Sequence, residues 1–114
     1  MKYDFQMNEL CPATYTFSVI GGKWNLPILA IMSEAEVIRY NELKRRLAGI
    51  TGTTLTNCLK ELIEYGIVHR EQFNEVPPRV EYSLTTAGKE LVPILETLVR
   101  WGQKNVGAMN KDLG

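Results

Sequence analysis

The chain has 114 residues, of which 45% are hydrophobic. That suits a single compact domain and leaves no need for disulfide staples. Thirteen Lys and Arg balance thirteen Asp and Glu. The neutral total weighs against a non-specific nucleic-acid binder and hands the question to local charge placement.

Met1 to Leu10 carry Lys2, Asp4 and Glu9 and no apolar run of the kind a secretion signal needs. They are expected to form a flexible arm. No stretch approaches the roughly 20 apolar residues of a membrane span. Cys11 and Cys58 make no disulfide framework. A cytoplasmic protein with reduced thiols is expected, with no membrane association.

Cys11-Pro12 opens a segment through Ile20, and Pro12 suits a first helical position. Tyr15, Val19 and Ile20 can share one face. Gly21-Gly22 breaks the chain. Lys23 to Met32 is apolar almost all round and therefore buried. Pro27 must lie in its first turn or kink it. Ser33 to Glu36 form a polar turn, and Val37 to Tyr40 read as a short strand. Asn41 is the expected N-cap of a helix over 42–47. Leu43 and Leu47 face inward there, while Lys44, Arg45 and Arg46 face outward. Ala48 to Ile50 turn into the next helix.

That helix, ending at Gly66, is the most informative segment. Leu55, Cys58, Leu59 and Leu62 repeat at i, i+3, i+4 and i+7, a core-facing stripe. Thr53, Asn57 and Lys60 fall on the opposite side. Thr51 is the expected N-cap, and Gly66 the left-handed C-cap. Val68, Arg70 and Gln72 then alternate with His69, Glu71 and Phe73. Val80, Tyr82 and Leu84 alternate with Glu81 and Ser83. A hairpin follows, with a long tip stiffened by Pro77 and Pro78. Thr85 or Thr86 caps a last helix with the stripe Leu91, Ile94, Leu95, Leu98 and Trp101. Pro93 should bend that helix or sit near its start. The domain runs over 11–106, and residues 107–114 are expected to fray.

Catalysis has no constellation. His69 is the lone histidine, without an Asp or Ser placed to complete a triad. Metal-ligand spacings and phosphate-binding glycine loops are missing, so no catalytic residue, metal or cofactor is expected. DNA readout has a better set. A recognition helix meets base edges with its N-terminal half. Thr53, Thr54 and Asn57 occupy that half. Asn pairs with adenine, and Thr contacts an acceptor or a thymine methyl. Thr51 and the free N–H groups of this terminus suit a phosphate. Lys44, Lys60 and Lys23 are further phosphate anchors, and Arg79 at the hairpin tip is the minor-groove contact. Glu61, Glu64, Glu90 and Glu96 lie elsewhere, so the neutral total conceals a basic face.

Several strings resemble the HxlR-type winged-helix transcriptional regulators, which are related to the MarR group. They are Cys11-Pro, Val19-Ile-Gly-Gly-Lys-Trp24, Arg39-Tyr-Asn-Glu-Leu43, Leu55-Thr with Leu59-Lys-Glu-Leu62, Gly66-Ile-Val-His-Arg70, Val76-Pro-Pro-Arg-Val-Glu-Tyr-Ser-Leu-Thr85 and Trp101-Gly102. They run in unbroken order over about residues 11–103. The resemblance implies an α+β winged helix-turn-helix whose extra N- and C-terminal helices form a homodimer. It also implies binding to double-stranded operator DNA and repression by occluding a promoter. Several such regulators sense oxidants or electrophiles through a cysteine at the position of Cys11, which makes Cys11 the candidate thiol sensor. A helix start can also lower a cysteine pKa. Cys58, on the apolar stripe, reads as core filler. Trp24 and Trp101 read as core and interface. The competing reading is a winged helix used only for protein–protein contact. Neither the operator nor a small-molecule effector is legible.

Overall fold

The computed structural model describes the backbone of residues 11–113 and the side chains of residues 11–107. The expected N-terminal arm lies outside the described residues. Chain order is α1 (Pro12–Ile20), α2 (Asn25–Met32), α3 (Tyr40–Arg46), α4 (Gly52–Glu64), β1 (Val68–Phe73), β2 (Arg79–Leu84) and α5 (Thr86–Leu113). Among the described residues, five helices and one two-stranded antiparallel sheet make the expected α+β winged helix-turn-helix, with additional helices on either side of it.

α2 is the hub. It packs against α1, α3, α5 and β2. That is why its sequence is apolar on nearly every side, and Ile28, Leu29 and Met32 are fully buried. Its polar Asn25 is also buried, and its amide donates to the Val19 carbonyl at 3.0 Å, so α1 is fastened to α2 without an orphaned polar group. Leu43 of α3 and Leu55, Leu59 and Leu62 of α4 join that core, with Val68 and Leu84 of the sheet and Leu91 and Leu95 of α5. Burying each such leucine contributes about 1.5–3 kcal/mol relative to leaving it in water.

The boundaries leading into α3 differ from the sequence reading. The strand expected over 37–40 is a single bridge. Ile38 and Tyr82 exchange backbone hydrogen bonds of 2.9 and 2.8 Å, and pairing stops there. It stops because Arg39 is already the N-cap of α3, and its carbonyl accepts from the Leu43 N–H at 3.0 Å. Asn41 is therefore inside α3 and does not cap it. The Tyr40 hydroxyl, which reaches across to Gly52 O, anchors this earlier start.

Gly66 follows α4 with φ +76°. There it ends the helix as expected, because only a residue lacking Cβ takes this conformation without strain. Its successor turns directly into β1. β1 pairs with β2 from Val68↔Leu84 to Phe73↔Arg79. Thr85, not Thr86, caps α5: its hydroxyl oxygen accepts from the Gly88 N–H at 3.1 Å and donates to Gly66 O at 2.6 Å. Pro93 lies well inside α5, and the helix backbone continues to Leu113, past Val106.

Candidate nucleic-acid interface

α4, the expected recognition helix, is held by its ends and by its buried stripe. Thr51 caps α4: its hydroxyl oxygen accepts from Thr54 N–H at 3.1 Å and its hydroxyl donates to Thr54 Oγ1 at 2.9 Å. Thr54 is thus turned back onto the cap and half-buried, whereas Thr53, Asn57 and Lys60 are exposed. Thr56 belongs with them. It sits at i+3 from Thr53, is exposed, and its Oγ1 is 3.4 Å from the Tyr40 hydroxyl. The periodicity that selected Thr53, Asn57 and Lys60 also passes through Thr56, so the signal was present in the sequence.

α3 sets the approach to that helix. The Tyr40 hydroxyl donates to Gly52 O at 3.0 Å, tying α3 to the first turn of α4. A Cβ on Gly52 would lie 3.3 Å from that hydroxyl and 3.9 Å from Lys44 Cε. Glycine there permits the close approach, and Lys44 lies beside the recognition helix's first turn. The three consecutive cations of α3 are not equivalent. Arg45 bonds Glu42 at 2.6 Å and Arg46 bonds Glu34 at 2.5 Å. Lys44 makes no ion pair among the described residues. The hydrogen bond from Arg45 holds the Glu42 carboxyl below its usual range. Of these three cations, Lys44 is therefore the one left without a carboxylate partner beside α4.

At the wing, Val76, Pro77 and Pro78 are exposed, and the Val76–Pro77 peptide is cis. Arg79 does not extend from the tip. Its guanidinium lies 4.1 Å from the Phe73 ring centroid, and one nitrogen is 3.2 Å from Glu75 Oε1. Lys23 lies in the turn between α1 and α2, its ammonium 5.1 Å from the Trp24 ring centroid. The structure thus gathers Lys44, Thr51, Thr53, Asn57 and Lys60 around α4, folds Arg79 onto the wing, and leaves Lys23 on another segment.

The two thiols differ in kind. Cys11 is the N-cap residue of α1, and the backbone N–H of Thr14 stabilises its thiolate, which lowers its pKa. Cys58 is half-buried against the core. Desolvation, followed by the nearby Glu61 carboxylate, raises its pKa. Among the described residues no group of His, Cys, Asp and Glu side chains is arranged to hold a metal. None of the described helices is long and apolar enough to cross a membrane.

The sequence pattern of HxlR-like helix-turn-helix proteins matches residues 19–110. An uncharacterised HTH-type transcriptional regulator of Halalkalibacterium halodurans is 50% identical over 94 residues, covering 82% of this chain and 83% of its own. YybR of Bacillus subtilis, also described as an HTH-type transcriptional regulator, is 45% identical over 104 residues, covering 91% of this chain and 82% of its own. Among solved structures, the reduced form of the redox regulator HypR superposes with a TM-score of 0.82 at 42% identity, covering 89% of this chain and 99% of that one.

Proposed function

We propose a function from a fixed premise: the chain belongs to the HxlR-like helix-turn-helix family and is a DNA-binding transcriptional regulator. It acts as a homodimer and represses by occupying a promoter. One observation carries the reading of the site. The helix that buries Leu55, Leu59 and Leu62 completely turns Thr53, Thr56, Asn57 and Lys60 to solvent. The core thus fixes the orientation of a face made for hydrogen bonding.

In this reading Asn57 and Thr53 contact base edges, with Thr54 beside them. Thr51 and the unpaired N–H groups at the start of α4 take a backbone phosphate. Lys44, Lys60 and Lys23 add phosphate contacts, and Arg79 is the wing contact. α1 and α5 supply the dimer interface, since Phe17, Ile94, Leu98, Val99 and Trp101 are all exposed there. Two-fold pairing places the reading helices in successive major grooves about 34 Å apart.

Cys11 makes the regulator thiol-responsive. The support is its thiolate-favouring helix start and the similarity to HypR, a redox regulator solved in oxidised and reduced forms.

The test is binding to DNA upstream of the protein's own gene and to a scrambled duplex, across a salt series. Specific binding that weakens steeply with salt is expected. Absent or salt-insensitive binding would instead support a winged helix devoted to protein contact.

A further inference from the structure

A cleft of about 260 Å³ lies between the start of α3 and the tip end of the hairpin, lined by Arg39, Tyr40, Asn41, Pro78, Arg79 and Val80. Two arginines line it and no acidic residue does. Arg39 is exposed and makes no ion pair among the described residues. Arg79 is only partly satisfied. One nitrogen meets Glu75 at 3.2 Å, while its Nε is buried with no hydrogen-bond partner. A guanidinium offers five N–H donors in a fork that fits a carboxylate or a phosphate. Glu75, itself exposed, engages one edge of that fork. An ion pair this exposed to water is weakly held.

We propose that this cleft seats one DNA backbone phosphate, gripped jointly by Arg39 and Arg79, and that Glu75 holds Arg79 until the phosphate displaces it. The proposal rests on the regulator reading and names a contact of that same surface. A phosphodiester presents two oxygens to the fork as a carboxylate does, so it replaces Glu75 on like geometry. Arg79 keeps its place in the ladder opposite Phe73, so the exchange turns the Glu75 side chain away from it. The cleft is also tied to the reading helix. Tyr40, next to Arg39, bonds Gly52 O at the first turn of α4. A phosphate in the cleft therefore sets the position of α4 relative to the groove.

The experiment measures operator affinity against salt for the full chain and folded variants, with circular dichroism as the folding check. Arg39→Ala and Arg79→Ala should each weaken binding by about tenfold and lower the salt slope by about 1. Because both serve one phosphate, the double variant should also lower the slope by about 1, not 2. Arg79→Lys, which keeps the charge and loses the fork, should weaken binding while retaining the slope. Glu75→Gln should tighten binding severalfold more than Glu81→Gln does in the wild-type background, and no more than Glu81→Gln does in Arg79→Ala. Glu81→Gln is the control. It removes the same charge on the same hairpin, opposite Glu71, and should act equally in both backgrounds.

Additive losses with a slope change of 2 overturn the shared seat. A Glu75→Gln effect that exceeds the Glu81→Gln control equally with and without Arg79 overturns the placeholder. If inorganic phosphate at constant ionic strength occupies the cleft at concentrations below those of cellular phosphate, in a manner that needs both arginines, the seat belongs to a free anion and the DNA assignment fails. Wild-type protein that shows no salt-dependent operator binding defeats the regulator reading itself, whereas a wild type that binds with flat variants defeats only the seat.

Discussion

Along α1 and α5 the protein leaves apolar side chains in water, and around α4 it leaves polar ones. Phe17 and Trp101 are 65% and 68% exposed, with Ile94, Leu98 and Val99 beside them on α5. A groove of about 250 Å³ between α2 and α5, lined by Leu26, Leu29, Val92, Leu95 and Val99 among others, adds a further apolar surface on α5. On α4, Thr53, Thr56, Asn57 and Lys60 stand in solvent at no such cost. The first surface is unfavourable until another apolar surface covers it. The second is comfortable in water and gains only when donors and acceptors are matched in space. In the proposed reading, dimerisation and readout are thus carried by different physics on different helices, so a change to either surface leaves the other folded.

The largest effect should come from the apolar side. Trp101→Glu puts a charge into the proposed dimer contact and should give a monomer by mass measurement, with α4 still folded. A monomer engages one half-site, so the avidity of paired heads is lost, about 10²–10⁴ in affinity. A monomeric variant that binds the full operator undiminished would uncouple the two surfaces and defeat the paired-head geometry.

Next in size is the polar side. Asn57→Ala should leave dimer mass and thermal stability unchanged and cost about 1–3 kcal/mol of discrimination between operator and scrambled duplex. Thr56→Ala is a sharper probe, since Thr56 also touches Tyr40. Unchanged discrimination in a folded, dimeric Asn57→Ala would show that Asn57 does not read bases.

The fold was legible where one helix or strand decided its own pattern. The stripe Leu55, Leu59, Leu62, the cap Thr51 and the stop at Gly66 are local facts, and the chain adopts them. What needed the third dimension was set by contacts between elements. Tyr40 begins α3 early because its hydroxyl finds Gly52 on another helix, and no window around Asn41 contains that partner. Arg45 and Arg46 look like free cations in sequence, yet Arg46 is paired twelve residues away with Glu34. Arg79 reads as a tip residue until Phe73 and Glu75 are seen beneath it. Charge placement was the weakest part of the sequence reading, because ion pairing is decided by geometry that periodicity does not encode.

A smaller effect separates structure from readout within α4 itself. Thr51 both caps the helix and faces the proposed phosphate. Thr51→Ala should cost about 1 kcal/mol of stability, and Thr51→Gly only a few tenths. If Thr51 also serves the phosphate through its hydroxyl, both variants should weaken DNA binding alike despite their different stabilities. Binding that tracks stability alone would reduce Thr51 to a cap.

The smallest change is a shift in a titration, and it compares the two regions through their cysteines. Cys11 sits at the start of α1 on the apolar side, and Cys58 on the inner face of the recognition helix. Thiolate is the reactive form. At Cys11 the Thr14 N–H favours thiolate, so its pKa lies below the ordinary value. Its alkylation rate should therefore rise with pH through a midpoint lower than that of a free thiol. At Cys58 burial and Glu61 disfavour thiolate, so its midpoint should lie higher. Near neutral pH an alkylating reagent should accordingly mark Cys11 first, read by peptide mass after a timed quench. In denaturant the helix start, the burial and the Glu61 contact all disappear, so the two midpoints should converge. Glu61→Gln should move the Cys58 midpoint down and leave Cys11 in place. Equal rates at the two sites in the folded protein would remove the thiolate argument for Cys11 and with it the physical basis for a sensor there.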